Sequence, residues 1–230
     1  SSLSQSRNCL MRISALAASQ SMKSSRTIKV KIMNIQKELE QLSTGKTDLR
    51  FNDVDVIPET IYTIMINEVV PSCIEDDFYG RPDAAYMTTT IPLFRKARIE
   101  VSSVQDILNN GIYITNAVKT PKTEYAVSKE SIEESLPYLE RELALFPNVK
   151  VIMLMGDVAK KAFNMISKKA TKKNAVPSVS TYKLRNTEIL YNGIRILPSY
   201  IMTGQNILIE KSKFEMASED IATMYRLITK

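Results

Sequence analysis

LPYLERELALFPNVKVIMLMGDVAKKAF, residues 136–163, reads as the end of a helix, a buried strand and the start of a second helix. Pro147 and Asn148 stop the first helix, because proline cannot continue one and its predecessor is pushed out of helical geometry. VKVIMLM (149–155) is then apolar at almost every position, the pattern of a strand covered on both faces. Gly156 supplies the turn, and Val158, Ala159, Ala162, Phe163 and Ile166 fall at helical spacing after it. A helix, a doubly buried strand and a second helix in succession make half of a parallel α/β sheet.

Similar runs lie on both sides. IYTIMINEVV (61–70) predicts a strand ended by Pro71, and IYITNAV (112–118) a second, with 149–155 the third and 194–197 a short fourth. Helices are predicted over 34–42, 91–97 (Pro92 in its first turn), from a Ser131/Glu134 capping box to about Phe146, and over 218–228. The expected fold is three-layer α/β/α around a central, parallel, four-stranded sheet, with right-handed crossovers. Ligands then belong at the carboxyl ends of the strands, near Asn67-Glu68, Asn116 with Lys119, Gly156-Asp157 and 198–206.

Composition restricts the chemistry. The chain has 230 residues, 44% of them hydrophobic and 24% charged, enough to build a sizeable core without being disordered or fibrous. No apolar stretch approaches the ~18 residues that span a bilayer, so no membrane association is expected. Of the 31 basic residues, Arg7, Arg12, Lys23, Arg26, Lys29 and Lys31 precede Lys37 and no acid does, which leaves 25 of each sign in the remainder. The net +6 therefore says nothing about what a folded domain binds. Residues 1–32 form a basic leader, readable as an organellar transit peptide or as a disordered extension with Met33 as the start; residues 33–230 form one domain. Cys9 and Cys73 make no disulfide framework, and an intracellular, reducing location is expected, organellar if the leader is a transit peptide. The absence of histidine excludes a Ser-His-Asp triad, a Cys-His pair and any histidine-ligated metal site. Two cysteines cannot hold a four-cysteine iron–sulfur cluster, and no metal or cofactor is expected.

Asn116 ends an apolar strand, where an amide is costly to bury unpartnered. Its donor and acceptor suit the edge of a nucleobase, or equally a structural tie between loops. Glu75-Asp76-Asp77 is a solvated acidic loop or, beside Phe78-Tyr79, part of a site that stacks a flat ligand. Gly156 stands alone, and Asp157 puts a negative charge where a phosphate would sit, so it reads as structural. The lysines of 160–173 read as a solvated face.

In order and separation, these pieces resemble the uracil-DNA glycosylase superfamily from about Ile61 onward, closest to its branch with iron–sulfur-containing members. Asn67-Glu68-Val69-Val70-Pro71 looks like that branch's Gly-Glu-Ala-Pro-Gly, and Gly80-Arg81-Pro82 matches its Gly-Arg-Pro, two residues further downstream. YITNAVK (113–119) is similar to the family's Tyr-Ile-Thr-Asn-Val-Val-Lys, whose Asn reads the uracil edge. Residues 196–206 (ILPSYIMTGQN) lie where the family has a Pro-x-x-His-Pro-Ser-like loop. The departures are Ile201 at the histidine, Met202 at the following proline, Val69 at the aspartate of the most studied branch, and no cluster cysteines.

The resemblance implies hydrolysis of the N-glycosidic bond of uracil or another deaminated base in DNA, slowed by loss of the histidine, or alternatively a damaged-DNA or nucleobase-binding module. It implies Glu68 or Asp76 as the water-positioning carboxylate, and Asn116, Asn67, Tyr79 and Phe78 around the base. Lys119, Ser199, Thr203, Gln205 and Asn206 would meet the DNA, and the protein would act as a monomer.

Overall fold

The computed structural model describes residues 29–43, 45 and 48–230, so the expectations for the leader lie outside the described residues. The chain divides into two units, Ser1–Lys31 and Ile32–Lys230, and the described helices and strands all belong to the second.

Along the chain come β1 (Met33–Asn34), α1 (Ile35–Glu40), β2 (Asp55–Val56), β3 (Thr63–Val69), α2 (Ala85–Lys96), α3 (Val104–Asn109), β4 (Ile112–Val118) and α4 (Lys129–Ala144). Next are β5 (Val151–Met155), α5 (Asp157–Thr171), α6 (Thr181–Leu184), β6 (Ile189–Tyr191), β7 (Ile194–Ser199), α7 (Asn206–Ile209) and α8 (Lys211–Thr229). The main sheet has five strands, ordered β4-β3-β5-β7-β6, and β1 pairs with β2 apart from it. The four expected strands are all present and mutually parallel. The fifth, β6, pairs antiparallel with β7, which corrects the purely parallel four-stranded expectation. Its cause is local: Asn192 and Gly193 both take positive φ (49° and 78°), the geometry of a tight two-residue hairpin whose twist matches that of the strands.

One core packs Ile35 and Leu39 of α1, Leu139 of α4 and Phe163 of α5 against β3, β4 and β5. The other packs Phe94 of α2, Ile107 of α3 and Ile221 and Met224 of α8 on the opposite face. This gives the three layers. Burial on both sides is why β3, β4 and β5 carry almost no alternation of apolar and polar residues.

Several helices differ from expectation: α8 begins at Lys211 and not at Ser218, and α3, α6 and α7 were not among the expected helices. α2 starts at Ala85 rather than near Ile91, so Pro92 is interior, where it removes one helical hydrogen bond. α4 is capped by Ser128, whose oxygen accepts the Ser131 N–H at 3.1 Å, so Ser131 lies within the first turn and is not the cap. Among the described residues, no helix is long and apolar enough to cross a membrane.

Candidate functional site

The strand order reverses between β3 and β5. The chain leaves β3 toward β4 on one side and returns to β5 on the other, and the carboxyl ends of such a pair border the natural crevice of a doubly wound sheet. Glu68 stands at the end of β3 and Gly156 comes directly after the end of β5. Their contact is close: a Cβ on Gly156 would lie 2.3 Å from Glu68 Oε1. Gly156 also has φ 113° and ψ 171°, a conformation essentially confined to glycine. Oε1 of Glu68 accepts the Val158 N–H at 3.1 Å. The amino end of α5 is thus occupied by an internal carboxylate, while Asp157 faces solvent (91% exposed) and pairs with Lys160 at 2.7 Å. Burial pushes the Glu68 carboxyl above its ordinary range, against the pull of the Val158 N–H.

Glu68 opens into a cleft of about 610 Å³, whose wall includes Lys160, Tyr182, Ser199, Tyr200, Ile201 and Lys213. Tyr182 is 64% and Ile201 40% exposed, an apolar and aromatic rim over a cleft with a carboxylate at its base. The two lysines are engaged, Lys160 with Asp157 and with Thr181 Oγ1 (2.6 Å), and Lys213 with Glu210 (2.6 Å). Ser199 is fully buried; its hydroxyl donates to Asp220 Oδ2 at 2.5 Å. Arg185 donates through Nε to both oxygens of Asp220, at 2.9 and 3.0 Å. Burial raises the Asp220 carboxyl, and the Ser199 and Arg185 hydrogen bonds oppose that rise. The arrangement ties α8 to the end of β7.

Next to Glu68 along β3 begins a buried polar cluster, one member of which, Asp77, also borders a smaller cleft of about 210 Å³ lined by Arg50, Tyr79 and Gly80. Asn67 and Asn116 are paired in the β3–β4 register, and Asn67 Nδ2 donates to Asn116 Oδ1 at 2.8 Å. Asn116 Nδ2 in turn donates to both carboxylate oxygens of Asp77, 3.0 Å each. Thr203 Oγ1 donates to Asn67 Oδ1 at 3.3 Å. All four side chains are buried. Burial raises the Asp77 carboxyl, opposed by the hydrogen bonds from Asn116 and from the Phe78 N–H.

The expected site residues therefore fall into separate places. Glu68 lines the cleft, and Asn67, Asn116 and Thr203 cluster next to it. Asp76 points outward: it pairs with Arg81 at 2.7 Å and accepts the Ala85 N–H at 3.3 Å, at the start of α2. Phe78 is buried against Tyr86 (5.2 Å between ring centroids), so its ring offers no face to a ligand. Tyr79 stacks on Tyr113 at 5.9 Å, and its hydroxyl both accepts the Ile114 N–H (3.0 Å) and donates to the Ile114 carbonyl (2.9 Å). Lys119 is not at a DNA-facing surface. Its ammonium is buried, bonded to Glu142 and to Thr115 Oγ1 (2.8 Å). Ser199 is likewise enclosed, whereas Gln205, just before α7, and Asn206, its first residue, are exposed.

Sequence reasoning passed over Asp77, Asp220, Arg185 and Tyr182. An acidic run gives no signal of which member turns inward, and Arg185–Asp220 joins segments 35 positions apart. Tyr182 lies beyond the lysines of 160–173, with no pattern around it to mark it. Among the described residues, no group of three or more His, Cys, Asp or Glu side chains is placed to hold a metal ion.

A family model described as the uracil DNA glycosylase superfamily matches residues 68–215, nearly two thirds of the chain. No curated protein matches.

Proposed function

The chain belongs to the uracil DNA glycosylase superfamily, and from that membership we propose that it acts on a deaminated base in DNA, chiefly uracil, hydrolysing its N-glycosidic bond slowly. The observation that carries this reading is the position of Glu68: a carboxylate at the reversal point of the sheet, raised by burial, at the base of an open cleft. In its ionised form Glu68 accepts a proton from a water whose oxygen bonds to C1′ of the sugar. The C1′–N1 bond breaks, its electron pair leaves with the base, and solvent protonates the departing anion. In this role Glu68 is preferred to Asp76, whose carboxylate is spent on Arg81 and on the end of α2.

Stabilisation of the leaving anion is the weak step. No imidazole exists in the chain, and the hydroxyls of Ser199 and Thr203 are committed to Asp220 and Asn67. Loss of one preorganised oxyanion donor lowers turnover by about 10²–10³. Gln205 and Asn206, both exposed, are the DNA-contacting residues of this proposal.

A second reading, a binding module without turnover, is favoured by one observation: the Ser199 and Thr203 hydroxyls are committed to Asp220 and Asn67, so neither is free to stabilise a leaving anion. An end-labelled, uracil-containing oligonucleotide, scored separately for complex formation and for abasic-site formation, separates the two. The expected result is binding with slow cleavage that Glu68→Gln abolishes. Ile201→His, which places an imidazole on the same cleft wall as Glu68, should raise cleavage by about tenfold or more with little change in affinity, since the gain arises only in the transition state. Cleavage unaffected by Glu68→Gln removes the role given to Glu68. Absence of both binding and cleavage in every variant removes the glycosylase reading.

A further inference from the structure

The amide of Asn116 presents one hydrogen-bonding edge, an acceptor and a donor side by side. The pairing edge of uracil, an imide N–H next to a carbonyl, is complementary to it: the N–H donates to Oδ1 and the carbonyl accepts from Nδ2. Both positions are filled from within the chain. The Asn67 amide stands where the imide N–H would, 2.8 Å from Oδ1, and the Asp77 carboxylate stands where the carbonyl would, with both oxygens 3.0 Å from Nδ2. Asn116 is 1% exposed and Asn67 is fully buried, so a base has no approach to that edge that leaves the cluster intact.

We propose that Asp77 decides whether Asn116 reads a base: its carboxylate occupies the donor half of the reading edge, the Asn67 amide occupies the acceptor half, and removing Asp77 opens the donor half to a base carbonyl. The proposal rests on the reading of the chain as a DNA-base-binding member of its family. Asp77 is held in place on several sides. Its Oδ1 accepts the Phe78 N–H at 2.9 Å, the Phe78 ring is packed against Tyr86, and the next residue, Tyr79, is bonded twice to the Ile114 backbone. The loop is thus fastened at Asp77, Phe78 and Tyr79 in succession, and a base must displace an anchored side chain before it meets Asn116. A carboxylate also offers acceptors only, so it closes the donor half of the amide edge and repels an incoming carbonyl oxygen.

The test uses single-stranded oligonucleotides identical except at one position, which carries uracil, 3-methyluracil or no base. Methylation of N3 removes the imide donor and leaves the carbonyls, so discrimination between the first two reports pairing with Asn116. The wild type should bind uracil and 3-methyluracil oligonucleotides equally. Asp77→Ala opens only the Nδ2 half and should bind the uracil and 3-methyluracil oligonucleotides alike, about tenfold or more tightly than the one with no base; Asp77→Ala with Asn67→Gly opens both halves and should add a preference for uracil over 3-methyluracil, which Asn116→Ala in the same background removes. Asp77→Asn keeps an acceptor toward Nδ2 and should remain closed. Should Asp77→Ala not fold, Asp77→Ser, shorter by one atom and uncharged, serves in its place with the same expected result. Discrimination by the wild type overturns the proposal, because the edge would then be open. So does a folded Asp77→Ala that binds the oligonucleotides with and without a base equally, which leaves the DNA-base reading standing. If no form binds any of the oligonucleotides, the DNA-base reading fails and this proposal with it.

Discussion

At the scale of single residues, Glu68 combines two demands that pull apart. Its burial disfavours the charge, and its place at the amino end of α5 favours it. The first wins, so the folded state holds the Glu68 proton more tightly than the unfolded chain does. The contribution of this group to stability is therefore largest below the ordinary carboxylate range, and it is lost as pH rises from that range through the raised folded value. Glu68→Gln keeps an oxygen for the Val158 N–H and carries no charge. Its melting temperature should match the wild type at low pH and exceed it by a few degrees at neutral pH; paired thermal melts between pH 4 and 7 measure the difference. A variant that is less stable at neutral pH would show that the charge is favoured in place. Glu68 and Asn116 were legible as candidates because the chain shows polar residues at the ends of apolar strands. Their partners were not. Which of Glu75, Asp76 and Asp77 turns inward depends on the loop's path, and Lys119 reads as a surface cation until Glu142 of α4 is brought over it.

Among the elements, β4 is one of the sheet's two outer strands, and it is sealed rather than left open. Arg50 N–H donates to the Lys119 carbonyl at 2.8 Å, and the Tyr79 hydroxyl serves both polar groups of Ile114. Unpaired backbone at a sheet edge invites pairing with other chains. Tyr79→Phe leaves the Ile114 N–H without its partner and should cost about 1–3 kcal/mol, seen as a lower urea midpoint and faster exchange of the Ile114 amide. An unchanged midpoint and exchange rate would mean that water replaces the hydroxyl there. The strands β3, β4 and β5 were legible because burial on both faces leaves unbroken apolar runs. The first half of α2 was not, because Thr88, Thr89 and Thr90 read as β-formers. Their hydroxyls bond back to the carbonyls of Ala85 and Tyr86 at 2.7–3.1 Å, which lets a threonine run sit in a helix. β6 was overlooked although Asn192-Gly193 between two apolar runs is the usual mark of a hairpin.

For the whole molecule, the α/β layering was legible from the alternation of strand and helix in the sequence. The strand order was not, because nothing local dictates that β3 lies between β4 and β5, and that order is what brings Glu68 against Gly156. Charge is partitioned just as sharply: residues 32–230 carry equal numbers of basic and acidic side chains, and the excess lies before them. DNA affinity of the chain should therefore lose much of its salt dependence when residues 1–28, which hold four of the cations, are removed. Each cation that pairs with a phosphate contributes about 0.7–0.9 to the slope of log affinity against log salt. Titrations of both chains between 50 and 200 mM salt (about the range over which such slopes are resolved) measure it, and equal slopes would place the phosphate contacts within 29–230.

The contact between Glu68 and Gly156 sets an order on how this chain can change over descent. Glu68 can be exchanged for a shorter or neutral side chain in one mutational step without strain at Gly156, because the atoms that a side chain there would meet first, Oε1, Cδ and Cγ, all belong to Glu68. The converse step is closed twice over. A side chain at 156 meets the carboxylate, and even with Glu68 gone it would have to adopt a backbone conformation that only glycine tolerates. A lineage that abandons the carboxylate thus keeps the glycine as a trace of it, and can regain the acid by a single reversal.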